Sequence, residues 1–304
     1  MKRKVSKIGP STLMISLPNK WVKGNNIKKG DELELIEENN NISIILNNTP
    51  KKQSAVFDVS NIHHMLHKFI GALYKAGFDE VKLSYKDDEQ LKIIYDALNK
   101  SCIGYEIIQE GNRYVIIKQI SEVKEEDFEN VLRRLFQFLI SISEDGLKAA
   151  EKNNTTELKV LMLRDDNVNR AADFCRRCLN KSRNKSPGTT YHIIEQLERI
   201  GDVYKEMFRE LIKNKKHRKE IIAYYKDINE FLNDFYRIFY KFDTTRLEEI
   251  YEIKIKLDKD SEEIHEMINK DQVRVLDNLN KIKDYIFEMN GSLMINNLHS
   301  SNVG

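Results

Sequence analysis

The chain has 304 residues, of which 40% are hydrophobic and 32% charged, with a formal net charge of +2; this is length enough for two or three domains. No run of about 18 apolar residues occurs, which excludes a membrane-spanning helix, and residues 12–17 are too short and hydroxylated for a signal peptide, so a cytoplasmic protein is expected. Three cysteines (Cys102, Cys175 and Cys178) provide no disulfide framework, and four prolines with twelve glycines favour a mainly helical chain.

The charge is unevenly distributed. Residues 1–30 hold eight basic side chains and no Asp or Glu, a +8 block that leaves −6 for the remainder. A basic end of this kind points to an anionic partner, nucleic acid first. Arg3-Lys4-Val5-Ser6-Lys7-Ile8 reads as a half-exposed strand of alternating polar and apolar residues. Gly9-Pro10-Ser11 turns it into a second strand over residues 13–17, and residues 18–23 read as a short helix. A hairpin follows, with strands at 32–36 and 42–46 across an Asn-rich turn. Four short strands make a poor core alone, so an intertwined homodimer is expected.

The order of these elements, with Lys20-Trp21 and Lys28-Lys29-Gly30-Asp31 in place, resembles the AbrB/SpoVT/MazE swapped-hairpin domain over residues 1–48. The resemblance implies a homodimer that lays basic strand and loop residues on DNA. Lys2, Arg3, Lys4 and Lys7 are the first contact candidates, with Lys20 and Lys23 second, and such contacts would make affinity strongly salt-dependent. The alternative is a dimerisation module with a solvated basic face.

Residues 49–53 read as a linker. Residues 54–121 follow as a small α+β domain of order βαβαββ, with Ser60 as the N-cap of a helix to about residue 76 and a second helix over 87–100. His63 and His67 stand at i,i+4 spacing, but no third ligand accompanies them. The domain shows no active-site pattern.

From residue 125 onward only Pro187 interrupts a helical periodicity. The halves repeat: Thr155, Thr156, Leu158, Asn180 and Lys181 recur 89 positions later as Thr244, Thr245, Leu247, Asn269 and Lys270. Leu197, Ile200, Asp202, Glu206 and Met207 recur 82 positions later as Leu279, Ile282, Asp284, Glu288 and Met289. The difference of seven is the segment 182–188, absent from the second half. This predicts two tandem three-helix bundles, 125–214 and 217–298. Each half carries carboxylate or amide pairs at i,i+4, roughly 6 Å apart on one helix face, and oxygen ligands of this kind suit hard cations. Cys175 and Cys178 form a CxxC inside a helical pattern with no second ligand pair.

The string Leu197-Glu198-Arg199-Ile200-Gly201-Asp202, the upstream Asp166, Asn169, Arg170 and Asp173, and the duplication resemble PhoU, the phosphate-uptake regulators. That resemblance implies a divalent metal or a multinuclear iron or zinc cluster held by Asp173, Glu198 and Asp202 in one bundle and by Asp258, Glu262 and Asp284 in the other. Asn169 and Asn280 replace acidic family positions, each with the loss of a charge. A swapped-hairpin N-terminus joined to such bundles resembles archaeal phosphate-uptake regulators. The leading expectation is a non-enzymatic, DNA-binding regulator of phosphate homeostasis without catalytic residues. The alternative is an adaptor that inhibits a phosphate transporter through its ATPase, with the N-terminus used only for dimerisation.

Overall fold

The computed structural model describes residues 1–38, 41–46, 52–120, 125–181, 187–214 and 217–301. The expected linker residues 49–51, the first two asparagines of the turn (Asn39 and Asn40) and residues 182–186 of the extra segment lie outside the described residues. The chain is mostly helical with a β-rich N-terminus, as expected. It divides into two compact units, Met1–Lys51 and Lys52–Gly304.

In the first unit, β1 (Val5–Ile8) pairs antiparallel with β2 (Thr12–Ile15), and β3 (Leu33–Glu38) with β4 (Asn41–Leu46). Gly9 and Gly30 adopt positive φ (74° and 100°) in the turns, a conformation that L side chains resist. Helix α1 (Asn19–Gly24) starts after Pro18, whose missing N–H costs nothing at a helix start.

The second unit opens with a four-stranded sheet of order β5-β6-β8-β7. β5 (Ser54–Asp58) and β6 (Glu80–Ser84) are parallel, and β7 (Tyr105–Gly111) and β8 (Tyr114–Gln119) close it antiparallel. Helices α2 (Leu66–Lys75) and α3 (Asp88–Ser101) cover one face. Phe57, Leu66, Ile70, Val81, Leu83, Ile94, Val115 and Ile117 share that core.

Two local expectations are corrected. Ser60 is not a helix N-cap: its N–H bonds Asp58 Oδ1 at 3.0 Å, and the buried Gln90 amide donates to the carbonyls of Val59, Ser60 and Ile62 at 3.1, 3.1 and 3.0 Å. Those bonds hold the chain in turns until Leu66. His63 therefore precedes α2, and the His63–His67 pair does not share a helix. The second helix does start as expected, with Asp87 Oδ1 capping Gln90 N–H at 3.0 Å.

The rest is α4 (Glu125–Glu151), α5 (Thr155–Leu163), α6 (Asp165–Lys181), α7 (Pro187–Lys213), α8 (Lys219–Tyr240), α9 (Thr244–Met267) and α10 (Lys270–Ser301). The repeat predicts three helices in 125–214, but the structure has four among the described residues, because the chain breaks at Arg164 into α5 and α6, whereas the matching α9 is continuous. Asp165-Asp166-Asn167 favours a helix start over a helix interior, and the second half has Lys254-Ile255-Lys256 there. All seven helices contribute to one continuous apolar core. α7 packs along α10 and α4 along α8, so the halves meet over both pairs. Gly146 permits this closeness: a Cβ there would lie 2.5 Å from Phe208 and from the Tyr225 hydroxyl.

Candidate nucleic-acid interface and acidic helix pairs

The acidic positions of the helical half fall at two seams. In the first, α6 faces α7. Arg176, nearly buried, donates to Asp173 Oδ1 at 3.0 Å and to Glu198 Oε2 at 2.7 Å, and Lys75 of α2 reaches Asp173 at 3.3 Å. Asp173 and Glu198 are thus brought together through a guanidinium. Burial raises the Asp173 carboxyl above its ordinary range, against the pull of Lys75 and Arg176. Two turns away Asp165 is buried, with Oδ2 accepting from Lys205 Nζ at 2.8 Å and from Asn169 Nδ2 at 3.2 Å. Asp202 is pushed up to about 6, by desolvation first and then by Asp165 and Glu198. Solvent reaches Asp202, so the charge–charge share is screened.

The second seam, between α9 and α10, uses other residues. Asp258 takes Lys254 from its own helix and Lys283 from α10. Desolvation opposes its ionisation, but the two ammonium groups together hold the carboxyl below its ordinary range. Asn280 accepts from the Tyr224 hydroxyl and donates to Ser261 Oγ, both at 2.7 Å. Its amide thus joins a neutral chain of hydrogen bonds. Glu262 and Asp284 are exposed, and Asp284 lies 3.7 Å from Lys283. Among the described residues no three His, Cys, Asp or Glu side chains converge as a metal site would require. Of the six expected ligands, Asp173, Glu198, Asp258 and Asp284 each have a cationic side chain within 4 Å. Cys175 is buried and Cys178 partly so, and burial pushes the Cys178 thiol up to about 12.

At the other end of the chain, Lys2, Arg3 and Lys4 precede β1, Lys7 lies on it opposite Leu13, and Lys20 and Lys23 lie on α1. All six are exposed, as are Lys28 and Lys29. Among the described residues no carboxylate forms an ion pair with any of them, so their charge is available to phosphates. The expected polar–apolar alternation of β1 is corrected. Val5 and Ile8 have opposite parity, so the β1–β2 ribbon carries apolar residues on both faces. Val5 (61%), Ile8 (52%), Leu13 (69%), Met14 (48%) and Ile15 (53%) are exposed, with Leu35 (65%) and Ile42 (69%) on the second ribbon. Among the described residues of this unit none is buried.

Residues 7–55, which cover most of this unit and the start of the next, match the model of the family described as antidote-toxin recognition MazE, bacterial antitoxin. Residues 7–55 carry a MazE/AbrB-type domain. The match covers 49 of 304 residues and stops short of the helical half. No curated protein and no solved structure is significantly similar to the chain. The MazE-type segment thus includes Lys7, Lys20 and Lys23, while Lys2, Arg3 and Lys4 lie just ahead of it.

One residue that pattern reading passed over is Arg177 on α6. It is fully buried between the rings of Tyr74 and Tyr105, 5.0 Å from each centroid. It donates to Tyr74 O at 2.7 Å, to the Tyr105 hydroxyl at 3.3 Å and to Asp79 at 3.3 Å. Lys181 also reaches Asp79, and Asn180 Nδ2 donates to Lys75 O at 2.8 Å. Together they lock the α+β layer onto α6. Its signal was the unbroken Arg176-Arg177 pair inside an apolar helix face.

Proposed function

We propose that the chain is a non-enzymatic, DNA-binding transcriptional regulator acting as a homodimer through its MazE/AbrB-type segment. The observation that carries this reading is a unit with eight exposed basic side chains, none paired with a carboxylate, and no buried residue among those described. The two ribbons need a second copy to cover their apolar faces, and each such side chain gains about 1.5–3 kcal/mol when fully buried. Dimerisation doubles the basic block on one molecule and gives it two-fold symmetry, which suits a pseudo-palindromic duplex. The phosphates position such a protein, and operator choice rests on base contacts. A mobility-shift assay with promoter DNA tests this. The full chain shifts duplex DNA, and charge reversal of Lys4 and Lys7 abolishes the shift; unchanged affinity in that variant removes the claim.

The finer assignment is regulation of phosphate uptake by a PhoU-like helical half. It rests on residues 197–202 and on the internal repeat. In this reading the acidic pairs are neutralised from within the chain, by Arg176, Lys205, Lys254 and Lys283, and no metal or cluster is needed. Purified protein then carries no stoichiometric metal, and chelation leaves its melting temperature unchanged.

A second reading is antitoxin-type regulation, favoured by the description of the matched family. It predicts a stable complex with a toxin encoded beside this chain. Co-expression with the neighbouring gene products separates the two, since a phosphate regulator binds none of them as a toxin and responds to phosphate supply.

A further inference from the structure

The two edges of the four-stranded sheet are unlike. β7 is guarded by a bulge between Ile107 and Gln109 and by Glu106 and Glu110, devices that discourage edge-to-edge pairing. β5, at the other edge, is Ser-Ala-Val-Phe-Asp: no bulge, no lysine, no proline, and Val56 71% exposed. Gln53 O accepts from Glu80 N, and Val59 N donates to Ser84 O. The odd-numbered residues thus spend their backbone groups on β6, and alternation along the strand turns those of Ser54, Val56 and Asp58 outward. Among the described residues nothing pairs with that edge.

We propose that β5 is the second dimer contact of this protein, pairing antiparallel with β5 of a second copy about a two-fold axis at Val56. The proposal rests on the homodimer reading above. The outward groups are self-complementary under that symmetry. Val56 meets Val56 of the partner subunit, and Ser54 meets Asp58 of the partner subunit, a hydroxyl donor opposite a carboxylate. Three residues from each copy, each offering one N–H and one C=O, close a six-bond ladder with no side chain in the way. The tether favours this pairing. Only seven residues lie between Leu46, the end of β4, and Ser54, so the tether is at most about 28 Å of extended chain. Two copies joined at their hairpins hold their β5 edges within reach at an effective concentration on the order of millimolar. The product is one eight-stranded sheet, with the helices of both copies tied by the Arg177 lock to a common layer.

A cysteine cross-link in the full-length chain tests this. Cα atoms of a hydrogen-bonded antiparallel pair lie about 5.5 Å apart, within disulfide range. Under mild oxidation Val56→Cys forms a disulfide-linked dimer about tenfold or more faster than Met65→Cys, an exposed control ahead of α2, while the parent chain, with its own three cysteines, does not cross-link. Amide exchange on the unsubstituted chain is the second readout, and the Val56 N–H exchanges as slowly as those of β6. A Val56→Cys chain that cross-links no faster than the control, or a Val56 amide that exchanges like an exposed one, overturns the proposal. Mass in solution separates the two failures. A dimer without the cross-link removes β5 pairing alone, and a monomer removes the homodimer reading with it.

Discussion

The two halves of the helical region descend from one pattern, yet they hold their second and third helices together differently. In the first half Gly201 lets α7 approach α6 so closely that a Cβ would sit 2.9 Å from Val168 and 3.3 Å from Asp165 Oδ1. The cation there, Lys205, comes from the next turn of α7. In the second half Lys283 stands at the Gly201 position and itself carries the charge to Asp258. The outer faces diverge too. Arg176 and Arg177 correspond to His265 and Glu266, which are exposed. Only the first half bears an α+β layer, and it alone has the buried arginines. Duplication supplied the helices, and what each half packs against decided which charges went inside.

The largest effect expected from breaking this contrast is at Arg177. Arg177→Ala removes a fully buried cation with its bonds to Tyr74 O, the Tyr105 hydroxyl and Asp79 and empties the space between the two rings, for a loss of about 3–5 kcal/mol in urea unfolding. The equivalent Glu266→Ala stays within about 0.5 kcal/mol. Next is glycine: Gly201→Ala forces α6 and α7 apart and costs about 1–3 kcal/mol. Gly291→Ala, where a Cβ meets nothing within 4 Å, stabilises by about 0.5–1 kcal/mol.

The smallest effects are in the pH response. Asp202 holds its proton more tightly folded than unfolded, so it weakens the native state as pH rises from about 4 through about 6. Asp202→Asn therefore raises the melting temperature at pH 7–8 and leaves it unchanged near pH 4. Because solvent screens the site, the gain is about 1 kcal/mol or less. Asp258 has the opposite sign, with its carboxyl held below the ordinary range. Asp258→Asn lowers the melting temperature at neutral pH, and that loss vanishes as pH falls through the folded value. Thermal melts across pH 3–8 check both.

Much of the fold was legible because it follows from periodicity. The βαβαββ order, the second helix of that domain from Asp87 and the helical repeat all rest on local spacing and turn chemistry. The failures were tertiary. Nothing local shows that Gln90 would gather three carbonyls and delay α2, or that Asp165 would be drawn inside and start a new helix. The acidic pairs were visible as spacing, but their partners were not. Arg176, Lys205 and Lys283 come from other turns or other helices, and their approach depends on how the helices cross. The basic block was legible as composition alone, since exposed charge needs no packing partner to be recognised. The apolar residues on both faces of β1 were equally visible, and their parity was misread.

The most direct test of the account is the salt dependence of duplex DNA binding by the full chain. The account predicts that log K falls linearly with log salt, and that each Lys→Gln change at Lys4 or Lys7 reduces the slope by about 0.9 if that lysine contacts a phosphate. Binding that is absent at low salt, or a slope unaltered by both changes, would contradict it.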